Sequence, residues 1–125
     1  MLKPKALDHI GLFATDMDRS LQFYTDGLGL ELLRRRGEGR QGFAALGVGN
    51  AEFNVFCNPD MAGGDTPRRV DHLCVAMDYR TIDDLVAALG EAGIPIDRGP
   101  VKRSDGMALF VRDPDGLRVE LLVKD

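Results

Sequence analysis

The sequence repeats itself. Leu7-Asp8-His9-Ile10-Gly11-Leu12 returns 63 positions later as Val70-Asp71-His72-Leu73-Cys74-Val75. Behind the first copy stands Asp16-Met17-Asp18-Arg19-Ser20-Leu21-Gln22-Phe23-Tyr24, and behind the second Thr81-Ile82-Asp83-Asp84-Leu85-Val86-Ala87-Ala88-Leu89. Each copy closes on an apolar run, Phe53-Asn54-Val55-Phe56 in one and Val119-Glu120-Leu121-Leu122 in the other. A period of this length makes each copy one supersecondary unit and restricts the chain to folds built from two equivalent halves.

Periodicity supplies the elements. Residues 7–14 alternate as a strand, with His9, Gly11 and Phe13 on one face and Ile10, Leu12 and Ala14 on the other. Helical spacing follows, capped by Asp16 and striped by Leu21, Tyr24 and Leu28. In the second copy Thr81 caps, Asp84 completes a weak capping box, and Ile82, Leu85, Val86 and Leu89 form the stripe. Gly29 and Gly93 stand where the helices should stop. Three strands then follow in each copy, at about 30–36, 41–48 and 51–57, and at about 95–100, 106–112 and 117–123. Asp113-Pro114-Asp115-Gly116 turns the last pair, because Pro presets φ and Gly supplies positive φ. Each copy reads β-α-β-β-β, an α+β arrangement. Module one covers about 5–57, a Gly- and Pro-rich linker 58–69 and module two 70–125. The 125 residues make one domain, since roughly 60 alone form a marginal core.

Composition excludes several functions. Sixteen basic and 20 acidic residues leave a net charge of -4, the wrong sign for a nucleic-acid footprint. No apolar run approaches a membrane span, and the basic N-terminus lacks the apolar stretch of a signal peptide. Cys57 and Cys74 without a CxxC read as two buried thiols in a cytoplasmic protein.

His9 and His72 are the only histidines, and they occupy the same place in the two copies. Glu120 interrupts an apolar strand and points away from Val119 and Leu121. A carboxylate there is either solvated or lines a cavity, because burial without a partner is costly. Two imidazoles and one carboxylate suit Ni(II), Zn(II), Mn(II) or Fe(II), with positions left open for substrate and water.

These motifs resemble the vicinal oxygen chelate superfamily, which includes glyoxalase I, bleomycin-resistance proteins, fosfomycin-resistance transferases, methylmalonyl-CoA epimerase and extradiol dioxygenases. The matching pieces are Asp8-His9-Ile10, Asp16 to Gly29, Asp71-His72-Leu73, and Asp113-Pro114-Asp115-Gly116 with Glu120. The resemblance implies two βαβββ modules forming a cup-shaped half-barrel, assembled as a homodimer around a small-molecule substrate. It also implies a divalent metal ion held by His9, His72 and Glu120, with Asn54 as a fourth metal or substrate position and Glu120 as the catalytic proton carrier. The chemistry implied is that of a glyoxalase-like lyase or isomerase, a Lewis acid stabilising an enediolate-type oxyanion. Thiol transfer to an antibiotic and extradiol ring cleavage are the alternatives within the enzyme class. A drug-binding resistance protein is the alternative outside it.

Asn54 departs from the carboxylate or Gln that glyoxalase I members place there, and Phe110 stands where the transferases and dioxygenases place a Tyr. Phe13, Phe56, Phe110 and Arg103 are expected around the substrate. Arg103 and Lys102 fall in an expected loop with the character of a lid. Arg34-Arg35-Arg36 with Arg40 and Arg68-Arg69 read as solvated, the alternative being attraction of an anionic substrate.

Overall fold

A computed structural model describes residues 8–57 and 72–125, together with Met1 and Lys3. The linker, Asp71 and Arg68-Arg69 lie outside the described residues. The chain divides into two compact units, Met1–Gly64 and Asp65–Asp125.

The first unit runs β1 (Ile10–Ala14), α1 (Met17–Leu21), a π-helical segment (Gln22–Gly27), β2 (Glu31–Arg36), β3 (Gly42–Val48) and β4 (Ala51–Cys57). Its sheet has the order β1-β4-β3-β2, with β1 parallel to β4 and the other pairs antiparallel. Asp16 caps α1 by accepting the Arg19 amide, as its side chain suggested. The expected helix runs on as a π-helix, in which the Leu28 amide donates to the Phe23 carbonyl five residues back. Thr25 Oγ1 donates to the Leu21 carbonyl at 2.6 Å, drawing one acceptor away from the regular α ladder. Met17, Leu21 and Tyr24 are buried with Leu12, Ala44, Leu46, Phe53 and Val55, the core of this unit.

The second unit repeats the plan with β5 (His72–Ala76), α2 (Ile82–Ala92), β6 (Arg98–Arg103), β7 (Gly106–Arg112) and β8 (Arg118–Lys124). The order β5-β8-β7-β6, with β5 parallel to β8, matches the first sheet strand for strand. Thr81 caps α2 through the Asp84 amide, and Gly93 ends it with φ of 71°, a left-handed conformation that glycine adopts without strain. Leu85 and Leu89 are buried with Leu73, Val75, Leu109, Val111, Val119 and Leu121.

Three expectations need correcting. The strand placed at 95–100 begins instead at Arg98, because Pro95 has no amide to donate and the first bond to β7 comes from the Asp97 amide to the Phe110 carbonyl. Lys102 and Arg103 therefore end a strand rather than form a loop, which holds Arg103 over the sheet. Cys74 is exposed and only Cys57 is buried.

Candidate metal centre

The Asp-Pro-Asp-Gly turn fixes where Glu120 stands. The buried Asp113 carboxylate accepts the Asp115 and Leu117 amides at 2.9 and 2.7 Å, and Gly116 takes φ of 81°. This sets the register of β8 against β7, with Phe110 opposite Glu120, and against β5, with Cys74 beside it. Phe110, Glu120, Cys74 and His72 thereby share one face of the second sheet.

On that face His72 Nε2 lies 3.2 Å from Glu120 Oε2, and Arg103 Nε donates to Glu120 Oε1 at 3.0 Å. The Glu120 side chain is only 10% exposed, so both oxygens have positive or polar company where water is scarce. Three guanidinium groups, those of Arg98, Arg103 and Arg118, stand 5.5 to 5.7 Å from the Phe110 ring centre. The His72 ring meets the same ring edge-on at 6.2 Å. Cys74 is exposed as a residue, yet partial desolvation of its thiol, then the charges of Glu120 and Asp105, push it up from its ordinary value, against the opposing pull of Arg103 and Lys124.

The other two expected residues belong to the first unit. His9 precedes β1, and its Nδ1 pairs with Asp8 Oδ2 at 2.7 Å. With the proton on Nδ1, the lone pair sits on Nε2, the orientation a ligating imidazole needs. Asn54 lies in mid-β4, paired with Gly11 on one side and Ala45 on the other. It is 7% exposed, and its Oδ1 is buried with no hydrogen-bond partner among the described residues. A cavity of about 350 Å³ opens elsewhere in this unit, lined by Asp8, Glu31, Leu33 and Glu52 among others, and Asn54 does not line it.

One pair of the expected donors has the spacing that a divalent ion requires. Two ligand atoms about 2.1 Å from one ion, at angles from octahedral to tetrahedral, lie about 3.0–3.4 Å apart, and His72 and Glu120 meet that spacing. Arg103 on the second carboxylate oxygen is the kind of outer contact that fixes a ligand's direction. The Asn54 oxygen, without a partner among the described residues, is an acceptor with capacity for one. Among the described residues no three His, Cys, Asp or Glu side chains gather to hold a metal.

Of the expected substrate contacts, Arg103 and Phe110 adjoin Glu120, while Phe13 and Phe56 are exposed on the Asn54 face of the first sheet. Sequence reasoning missed Arg98 and Arg118. Arg118 was within reach, since it precedes Glu120 by two residues and shares its face. Arg98 required the β6–β7 register, which a break between Arg98 and Val101 conceals.

Comparison with known proteins is consistent across the chain. Residues 6–121 match the Glyoxalase/Bleomycin resistance protein/Dioxygenase superfamily. A probable lactoylglutathione lyase of Vibrio cholerae is 33% identical over 122 residues, covering 91% of this chain and 87% of that protein. A lactoylglutathione lyase of Haemophilus influenzae is 31% identical, covering 91% and 89%. The crystal structure of a glyoxalase/dioxygenase from Nostoc punctiforme superposes with a TM-score of 0.80 at 26% identity, covering 100% of this chain and 97% of that one.

Proposed function

The chain belongs to the glyoxalase/bleomycin resistance/dioxygenase superfamily, and from that membership we propose that it is a glyoxalase-like lyase or isomerase dependent on a divalent metal ion. Its substrate is a small molecule presenting adjacent oxygens. His9, His72 and Glu120 would hold the ion, and Asn54 Oδ1 would serve as its fourth position or meet the substrate directly. The ion would supply Lewis-acid polarisation of a substrate oxygen.

The His72–Glu120 pair with Arg103 behind it carries this reading. Arg103 occupies Oε1 and holds the carboxylate so that Oε2 faces His72. Glu120 would also serve as the proton carrier, taking a proton from one carbon and returning it to its neighbour. The low exposure of Glu120 keeps bulk water from competing for that proton. Asn54, an acceptor without a donor, would orient a substrate hydroxyl. A homodimer in the cytoplasm completes the reading. The family resemblance supports the dimer, and two cysteines outside any disulfide suit a reducing compartment.

The test pairs metal binding with turnover. Chelator-treated protein should bind Ni(II), Zn(II), Mn(II) or Fe(II) at one equivalent per site and then isomerise the methylglyoxal–glutathione hemithioacetal. His72→Ala should weaken metal binding by at least about 100-fold and abolish turnover. Equal metal affinity in wild type and His72→Ala would overturn the assignment.

A further inference from the structure

The first sheet carries an aromatic row to which the proposed reaction assigns no ligand chemistry. Across its four strands one register level reads Phe13, Phe56, Phe43, Arg36. Paired residues share a face, so these side chains stand in line on the face that also bears Gly11 and Asn54. Phe13 is 73% exposed and Phe56 44%. Single exposed apolar residues are ordinary, whereas a contiguous exposed row marks a binding surface. The Phe43 and Phe56 rings touch at 5.2 Å between centroids, tilted by 52°.

Charge closes one end of the row. Arg34, Arg35 and Arg40 pair with Glu52, Asp18 and Asp16. Arg36 makes no ion pair among the described residues, and its guanidinium stands 5.9 Å from the Phe43 ring centre. Space opens at the other end, because Gly11 has no side chain and a Cβ there would already touch the Phe56 ring at 3.4 Å. The next register level holds the unpartnered Asn54 oxygen, about 7 Å along β4.

We infer that this face binds a planar aromatic anion, its rings stacked on Phe13 and Phe56 and its acidic group at Arg36. The row spans about 14 Å from the first strand to the fourth, long enough for two fused rings and a carboxylate. The inference names a substrate class for the reaction proposed above and rests on that reading for its catalytic meaning. The binding itself needs neither metal nor turnover, and a ligand lying on the row would bring its flank to Asn54.

The test uses chelator-treated protein and the fluorescence of 2-naphthoate, which is read cleanly because the chain has no Trp. One 2-naphthoate should bind per chain. Phe56→Ala should weaken it about tenfold, the value of a lost aromatic pair. Gly11→Val should weaken it as strongly by filling the space beside Phe56. Arg36→Gln should weaken it about threefold and leave the neutral 2-naphthamide unaffected. His72→Ala should bind as wild type does, so a failed metal centre and a failed aromatic site give different results. Thermal melts check that each variant folds, and Phe13→Ser at an exposed position replaces Phe56→Ala if that variant does not. Absence of binding, or binding that survives both Gly11→Val and Phe13→Ser, would overturn the inference. So would binding that appears only when Phe13→Ser breaks a dimer, since a second copy would then cover the row.

Discussion

Replacing Asn54 by Leu should make the protein more stable and less functional. The two side chains are close in size, so the exchange keeps volume and removes only polarity. Asn54 Oδ1 is buried without a partner among the described residues, and such a group costs about 1–3 kcal/mol in desolvation. Imperfect fit of the branched methyls returns up to about 1 kcal/mol of that gain. A net stabilisation of about 1 kcal/mol remains. For 125 residues the entropy of unfolding near the midpoint is about 0.26 kcal/mol per kelvin, so the midpoint should rise by about 4 °C. Far-UV circular dichroism melts in metal-free buffer measure this directly. The same variant should lose metal affinity or raise KM, because the proposed function gives the oxygen it lacks to the metal or the substrate. A midpoint lowered by several degrees would show that the amide is satisfied in solution and that its burial conceals no functional demand.

Four further outcomes follow from the same geometry. Metal at 100 times its Kd should stabilise the wild type by about 2.7 kcal/mol, and calorimetry of His72→Ala should show no such rise. Arg103→Met should destabilise by about 1 kcal/mol, the modest figure reflecting a half-exposed guanidinium, while kcat falls more than KM rises because Glu120 loses its anchor. Asn54→Asp should bind metal more tightly while melting lower without it, since an unpaired carboxylate then takes a buried place. The Cys74 thiol is raised from 9.0 mainly by burial, so the folded state favours its protonated form. That preference is fully present below pH 9.0 and is lost as pH rises through the folded value, so denaturant midpoints of Cys74→Ala should decline less than wild type in alkaline buffer.

The halves of the fold were legible because His9 and His72 sit in copies of one phrase, and a repeat carries topology as well as elements. Caps at Asp16 and Thr81 were legible for a local reason, one side-chain oxygen meeting one nearby amide. The π-helical segment was not, because Leu21, Tyr24 and Leu28 suit either winding and the choice turns on Thr25 bonding to the Leu21 carbonyl. At the candidate site, alternation was enough to place Glu120 opposite Val119 and Leu121. The arginines around Phe110 depend on pairing between strands, and there the irregular step after Arg98 defeats any reading from spacing. The same limit hid the alignment of Phe13, Phe56, Phe43 and Arg36, which come from four strands, although Phe13 and Phe56 were expected singly around the substrate.

Both outermost antiparallel strands are irregular in the same way, β2 between Leu32 and Arg34 and β6 between Arg98 and Val101. Each is also dense in positive charge, with Arg34, Arg35 and Arg36 on one and Arg98, Lys102 and Arg103 on the other, and Pro100 removes a donor from the second. A strand that is kinked, cationic and short of an amide is a poor template for another molecule's backbone. Each sheet thereby carries a guard against fibril growth along one border, while β1 and β5, which lack lysine, arginine and proline, carry no such guard of their own along the other.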